Sequence, residues 1–551
     1  MGWSFSRVSP ASNNANNDNN NNNNNNNNLP HYSGDELADP ESTCCHRATW
    51  CVPGWRKLNV DEAVAGCGCC DFTYATGFWL VTVLAILGLL YALLYLYVGE
   101  AMLPGGPYFG LYLVVCSSYF AGWALAYVPR VQLPPVFGMI LAGILVRNLH
   151  WYNIEEALSM ATTAKIRMFT ATFVMLRAGL QLNTTTLRDH PRFIVLLALV
   201  PCTMEMCAVA VCARSLLDLP WGWAFLLGSI TACLSPVIPI NTMLALAEEG
   251  YGEDKHMASL LLTAASIDDV HIVSVYAICF SFVFNHDEDQ GGSYWWSIFP
   301  NEIKDLLLGT TFGAALGIFF VFFPHRKHKY VAWYRICGLV LGSLVCVAST
   351  YKVTITGSGY LATIVMSLIA TSGWRVLSRP FDLQPLRQAV HIMWHLMQPV
   401  LCGVMGAEVD LSGWSLGRLG LYVICLACGL AVRSAFVFLS TWRSPFNKKE
   451  RAFIALVWLA KGATQAALAP MVLEEALSTG GGEQQRRMGY VLDVVRMAVV
   501  TVLLMSPIPA VAIMIAGPRL LHRLDEEERS KQRELSLIRL LSLQPVRKRR
   551  H

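Results

Sequence analysis

Two adjacent carboxylates, Asp268 and Asp269, lie near the middle of an apolar stretch that runs from Leu260 to Phe284. About 20 apolar residues are enough to cross a bilayer as a helix, and a carboxylate at the centre costs about 2.5–3.5 kcal/mol on insertion scales. Because a helix needs no acid there for its own structure, the pair indicates a site for a cation or a proton. The alternative is a buried ion pair that only fixes how helices pack.

Three more ionisable side chains lie deep in other apolar runs: Glu205, Arg433 and Lys461. Buried charges are expensive in a membrane unless they pair, so we expect these groups to meet one another and the two aspartates. The acids and bases of this set nearly balance, as a polar core surrounded by lipid requires.

Interrupted helices are the second signal. The apolar run 221–247 contains Ser235-Pro236-Val237-Ile238-Pro239, whose two prolines remove amide donors and break a helix in mid-membrane. Broken backbone survives at that depth only where it lines a cavity or is covered by protein, so its freed carbonyls are expected to face a cation beside Asp269. Lys461-Gly462, in the middle of the run 450–474, predicts a second and weaker break.

Composition sets the class of protein. The chain has 551 residues, of which 54% are hydrophobic and 15% charged, whereas soluble globular chains carry about 25% charged residues. We therefore predict an integral membrane protein without a nucleic-acid partner. The first apolar run begins near Gly77, too late for a cleavable signal peptide, and the scattered cysteines imply no disulfide framework.

An enzyme is disfavoured, because the sequence contains no evident nucleophile–base set, metal cluster or P-loop, and no cofactor is expected. His391 and His395 lie four residues apart, but no third ligand accompanies them, so they are interpreted as packing or interface residues. His271 lies three residues after Asp268, on the same helix face. It is either a satisfied core residue or a group that tunes proton affinity.

Three parts are expected along the chain. Residues 1–75 form a cytosolic tail with a disordered Asn-rich tract and cysteines suited to lipidation or zinc; residues 76–517 form the transmembrane domain, and residues 518–551 a basic cytosolic tail. Fourteen apolar runs are predicted to span the membrane: 78–98, 108–127, 133–148, 165–182, 193–217, 221–247, 257–284, 306–323, 331–350, 359–374, 386–408, 417–440, 450–474 and 488–516.

Basic residues in alternate loops decide the orientation. Arg188, Arg192, Arg326 and Lys327 belong to one set of loops, and the other set holds fewer basic residues and the acidic segment 287–289. The first set is therefore predicted to be cytosolic. With fourteen spans, both termini are then cytosolic as well.

Two triplets of runs carry charged or broken positions at matching places. Asp268 follows Ser235 by 33 residues, and Asp493 follows Lys461 by 32. Corresponding runs of the two triplets are an odd number of spans apart, so the triplets insert in opposite orientations. Paired interrupted segments in such positions indicate a transporter with inverted repeats.

Several motifs occur in the same order as in a known family. They are LPPVFGMILAG (133–143), LRAGLQL (176–182), LSPVIP (234–239), SIDD (266–269), GAEVDL (406–411) and KGATQAALAP (461–470), together with the helices of Glu205 and Arg433. Through them, over about residues 105–516, the chain resembles the sodium/proton antiporters of the animal NHA branch of the monovalent cation:proton antiporter superfamily. The resemblance implies an all-α, NhaA-type inverted-repeat fold with about fourteen transmembrane helices, a homodimer and two broken helices that cross near an aspartate pair.

The resemblance also implies roles for single residues. By position, Asp269 resembles the acid that binds sodium, and Asp268 resembles its neighbour, which also belongs to the ion site and pairs with a lysine. Lys461 matches the lysine-bearing break, and Ser235 matches the polar side chain of the first break.

A charge-compensating pair is implied as well. Arg433 matches the core cation position of the family, where it pairs with Glu205.

The implied function is secondary active antiport of a monovalent cation (sodium, or also lithium or potassium) for protons, across a plasma or organelle membrane. A carboxylate in low dielectric can hold either a proton or a cation near neutral pH, and alternating access then produces exchange. If Lys461 titrates during the cycle the exchange is electrogenic, and if it stays charged the exchange is electroneutral. Two alternatives stay open: a proton-coupled chloride transporter on the same scaffold, and a non-transporting membrane sensor whose acids only hold helices together.

Overall fold

The structure is a computed structural model that describes residues 74–528, apart from 127–132, 153–156, 182–183, 236, 256, 285–300, 326–327, 329, 353–355, 378–383, 479–483 and 525–527. Nearly all of the predicted N-terminal and C-terminal tails lie outside these residues, and the last two residues of the former begin α1. The part up to Ala85 and the part from Ile86 onward are two compact units, and every contact discussed below belongs to the second.

Within the described ranges every regular element is a helix, which confirms the predicted all-α class. The helices are α1 (Tyr74–Val98), α2 (Pro107–Ala126), α3 (Pro135–Asn148), α4 (Met160–Gln181), α5 (Thr184–Asp189), α6 (Pro191–Leu216), α7 (Trp221–Ala232), α8 (Val237–Glu248), α9 (Met257–Phe284), α10 (Asn301–Phe322), α11 (Val331–Lys352), α12 (Thr356–Leu377), α13 (Gln384–Ala407), α14 (Leu416–Ser440), α15 (Lys448–Val457), α16 (Ala463–Ser478), α17 (Gln484–Met505) and α18 (Pro507–Leu520). Each predicted apolar run coincides with one helix or with two consecutive ones. Eight segments of the described chain are long and apolar enough to cross a membrane.

Both helix interruptions predicted from the sequence are present. One separates α7 from α8 and the other separates α15 from α16. The backbone amide of Ser235, in the first, donates to the carbonyl of Ala460, in the second, over 3.0 Å. Backbone groups that the breaks release from their own helices thus satisfy each other, as burial away from water requires.

A third interruption was not predicted. The run 488–516 is divided into α17 and α18 at Ser506, because Pro507 begins a new helix and has no amide to continue the old one. The carbonyl of Met505, freed at this point, accepts the backbone amide of Lys461 at 3.0 Å. All three interruptions therefore join through backbone hydrogen bonds.

Helices α10 and α12 pack closely through a stripe of glycines on α10. A Cβ atom added at Gly313 would lie 2.4 Å from the carbonyl oxygen of Ala362, and one at Gly309 would lie 2.6 Å from that of Ser358. Such distances exclude a side chain unless the backbones move apart. The stripe thus serves packing within one chain, as small residues often do between membrane helices.

We expect Gly313→Ala to lower the apparent unfolding temperature of the purified protein, because overpacking of this kind typically costs about 1–3 kcal/mol. The matched control is Gly420→Ala, in α14, where an added Cβ meets nothing within 4 Å and a better helix former replaces glycine. Thermal unfolding of both variants in detergent checks the prediction. An equal response of the two variants would contradict the close α10–α12 contact.

Candidate ion-binding site

The centre of the site is a carboxylate that holds two cations. Arg433 Nη1, from α14, donates to Glu205 Oε2, from α6, and Lys461 Nζ donates to the same oxygen over 2.8 Å. All three side chains are completely buried. The predicted Arg433–Glu205 ion pair is therefore present, and Lys461 extends it to a triad.

The end of the half-helix α7 supplies a second acceptor. The carbonyl oxygen of Ala232, the last residue of α7, accepts Arg433 Nη1 at 2.7 Å and Lys461 Nζ at 3.1 Å. A helix leaves its final carbonyls unpaired, and the macrodipole makes that end negative. The interruption after Ala232 thus helps to stabilise both buried cations.

Asp268, on α9, pairs with arginine and not with lysine. Its Oδ2 atom lies 3.3 Å from Arg433 Nη2. The prediction that Asp268 pairs with Lys461 is therefore wrong. The guanidinium presents a second nitrogen toward α9, whereas the ammonium of Lys461 is directed to Glu205 and Ala232.

Asp269 is buried, with 3% of its surface exposed, and it faces the first interruption. Its Oδ1 atom lies 3.9 Å from the Sγ atom of Cys233, and no ion pair of the described residues includes it. Three carboxylates and two cationic side chains meet in this region, and Arg433 and Lys461 are engaged with Glu205 and Asp268. Asp269 is therefore the one carboxylate of this group without a cationic partner among the described residues.

Ser235, in the first interruption, is 1% exposed and lies where that interruption contacts the second. A Cβ atom on Gly462 would lie 2.8 Å from Ser235 Oγ, so only glycine lets the second interruption approach this closely. The structure thus brings all six predicted site residues to one region: Glu205, Ser235, Asp268, Asp269, Arg433 and Lys461.

Two residues that make polar contacts in the site, Gln465 and Cys233, were not assigned to it from the sequence. Gln465, in the first turn of α16, donates from Nε2 to the carbonyl of Cys233 and accepts the backbone amide of Gly462 at 2.8 Å. The signal for Gln465 was its place in the motif that begins at Lys461, four residues after the lysine. Cys233 directly precedes the motif LSPVIP and was given no role.

His271 and Asp493, which the sequence analysis also considered, contact residues other than the six of the predicted site. His271 and Thr203, on α6, form a hydrogen bond of 2.9 Å, which satisfies the imidazole within the helix bundle. Asp493 binds Arg418 at 2.7 Å and the hydroxyl of Tyr422 at 2.5 Å, both in the first two turns of α14. The spacing that aligned Asp493 with Asp268 therefore does not place it in the site.

Comparison with known proteins identifies the family. The model of the sodium/hydrogen exchanger transmembrane family matches residues 115–514, most of the chain. The chain belongs to the sodium/hydrogen exchanger family. Relatives in this family include sodium/hydrogen exchanger 9B2 of Mus musculus, 33% identical over 447 residues that cover 80% of this chain and 79% of that protein. The 9B2 protein of Homo sapiens is 30% identical over 456 residues, with 82% of each chain covered.

The fold of this exchanger is similar to that of a solved antiporter. The sodium proton antiporter MjNhaP1 from Methanocaldococcus jannaschii at pH 8 superposes with a TM-score of 0.57 over 74% of this chain and 97% of that one, at 15% identity. Membership in the exchanger family confirms the predictions of an integral multi-pass membrane protein, of cation/proton antiport and of a transporter that is not an enzyme. It gives no support to a chloride transporter or a sensor.

Proposed function

We propose that Asp269 is the position at which a proton and a sodium ion alternate in this exchanger. The observation that supports this role is the charge balance: Glu205 and Asp268 engage the cations Arg433 and Lys461, and Asp269 is left over. A carboxylate buried without a counter-charge has to be neutralised, and a proton or a monovalent cation does this.

Oxygen atoms near Asp269 complete the proposed cation site. Sodium is a hard cation, and such ions favour oxygen ligands. Asp268, the neighbouring acid, and Ser235, in the first interruption, are the proposed additional ligands. Because a proton and a cation compete for one carboxylate, binding of either expels the other, and a change of access then moves them in opposite directions.

Lys461, Arg433 and Glu205 are proposed to hold their charges through the cycle. Lys461 donates to a carboxylate and to a carbonyl at 2.8 and 3.1 Å, and deprotonation would leave both acceptors unsatisfied in a completely buried position. With only Asp269 changing its occupant, one proton exchanges for one sodium ion. The exchange is then electroneutral.

We expect sodium-driven proton exchange without net charge transfer in proteoliposomes that carry an imposed pH gradient. A pH-sensitive dye records the exchange for sodium, lithium and potassium in turn, while electrometry on a solid-supported membrane records current. Exchange that is accompanied by a sustained current contradicts the electroneutral scheme. The rate of sodium-driven proton flux is expected to be unchanged when gluconate replaces chloride. A lower rate in gluconate would indicate chloride-coupled transport and contradict cation exchange.

The wider architecture is part of the same proposal. The two triplets of predicted runs comprise helices α6 to α9 and α14 to α18; the first contains one interrupted run and the second contains two, which supports an NhaA-type inverted-repeat arrangement. We propose fourteen membrane crossings, with both termini cytosolic on the basis of the basic loops, and a homodimer in a plasma or organelle membrane. Accessibility labelling of single cysteines tests the orientation, and cross-linking in membranes tests the dimer.

A further inference from the structure

A second buried charge cluster lies apart from the site of Asp269. Arg167, on α4, donates from Nη1 to Glu408 Oε1, just after α13, and from Nε to Glu474 Oε1, on α16, which Nη2 also contacts in an ion pair. The side chains of Arg167, Glu408 and Glu474 are only 3%, 6% and 14% exposed. Three helices that are distant in sequence thus meet at an arginine held between two carboxylates.

With both carboxylates ionised, the cluster carries one surplus negative charge. One guanidinium faces two carboxylates, and the neighbouring Tyr276 and Tyr360 are buried phenols that add no positive charge. The hydroxyl of Tyr276 is itself directed to the carbonyl of Leu468 at 3.2 Å. An uncompensated buried charge is costly, so this region favours an added cation.

One carboxylate oxygen of the cluster is left without a partner among the described residues. Glu408 Oε2 is buried and has no hydrogen-bond partner among the described residues, although its side chain is 94% covered. A buried polar atom without a partner is rare in folded proteins, because it loses its water and gains nothing in return. The free oxygen therefore points to a ligand and not only to a structural ion pair.

The cluster is distant from Asp269. Glu474 lies eleven residues after Ala463, where α16 begins beside the interruptions, which corresponds to roughly 16 Å along the helix. Glu408 follows the last residue of α13, so the cluster lies toward the face at which α13 and α16 end.

We propose that Arg167, Glu408 and Glu474 form a second site for a monovalent cation, between the Asp269 site and the face at which α13 and α16 end. The cation binds Glu408 Oε2 and neutralises the surplus charge. The proposal of this second site rests on membership in a family that exchanges sodium, and it does not rest on the role proposed for Asp269.

Sodium binding without transport tests the second site directly. In the Asp269→Asn protein, sodium chloride at pH 8 is expected to raise the apparent unfolding temperature relative to choline chloride of equal ionic strength. Adding Glu408→Gln to Asp269→Asn is expected to abolish that sodium-dependent rise. Because each protein is compared with itself in choline, a change in basal stability cancels.

Asp410→Asn, added to Asp269→Asn, is the matched control. Asp410 is exposed two residues from Glu408, and the hydroxyl and backbone amide of Ser412 hold the pKa of its carboxyl below the usual range, so it is charged at pH 8. This control removes the same charge from the same face and is expected to retain the sodium-dependent rise. Glu474→Gln replaces Glu408→Gln should the latter fail to fold.

Two results would overturn the second site. One is the absence of a sodium-dependent rise in Asp269→Asn, and the other is a rise that survives Glu408→Gln or, where that variant does not fold, Glu474→Gln. Either result leaves the role of Asp269 untouched, because that role is decided by exchange in the single Asp269→Asn variant.

Discussion

Asp269→Asn is expected to reduce cation/proton exchange in proteoliposomes to the level of empty liposomes while the protein still folds. The amide has nearly the shape of the carboxylate but carries no charge, so it can neither bind a sodium ion strongly nor release a proton near neutral pH. Because Asp269 has no cationic partner among the described residues, its neutralisation leaves no buried charge unpaired. Elution of the variant as a single peak in size-exclusion chromatography checks the fold, and dye dequenching checks the exchange.

Asp493→Asn is the matched control for this result. Asp493 is also an acid in a long apolar helix, but it is bound to Arg418 and Tyr422 and lies outside the site. This variant is expected to lose stability and to retain exchange. Wild-type exchange in Asp269→Asn would contradict the assignment of the site.

Glu205→Gln is expected to cause the second large effect, a loss of stability. One oxygen of Glu205 accepts both Arg433 and Lys461, so the variant leaves two completely buried cations without their common partner. Breaking a buried ion pair by removing one partner typically costs about 3–5 kcal/mol. A strong fall in the apparent unfolding temperature is therefore expected.

A double-mutant cycle with Lys461→Gln separates this interaction from general damage. The double variant removes one of the two stranded cations, so its loss is expected to be smaller than the sum of the single losses. Glu450→Gln is the comparison, since Glu450 pairs with Lys255, which is 27% exposed and can be hydrated when its partner is removed. Additive losses in the Glu205–Lys461 cycle would contradict the shared carboxylate.

The sequence was enough to predict which charges meet. Glu205, Asp268, Asp269, Arg433 and Lys461 each lie in mid-run, where lipid would otherwise surround them, and physical necessity brings such groups together. The two proline- and glycine-marked interruptions were predictable for a similar reason, because irregular backbone has to be covered. The position of a charge or of a helix-breaking residue within its apolar run is therefore enough to predict that it is covered by protein.

The sequence could not predict the partner of every charge: the Arg433–Glu205 pair was expected, but the partner of Lys461 was not. The choice of Glu205 and not Asp268 as the partner of Lys461 depends on how α6 and α9 are rotated about their axes, and spacing along one helix does not fix the rotation of its neighbours. Arg167 and Glu474 were overlooked because they lie near the ends of their runs, where charges are usually hydrated. Only the approach of α13 to α4 and α16 buries them.

The backbone bonds between the interruptions have a mechanical consequence. Ser235 is hydrogen-bonded to Ala460, and Lys461 to Met505, so each of the three interrupted segments is joined to another and a shift of one strains a backbone bond to its neighbour. With the role proposed for Asp269, the ion would lie among these joined segments, and we expect the movement that changes its access to occur where α4 and α13 contact α16. A small molecule that binds at that boundary is expected to inhibit transport without contacting Asp269.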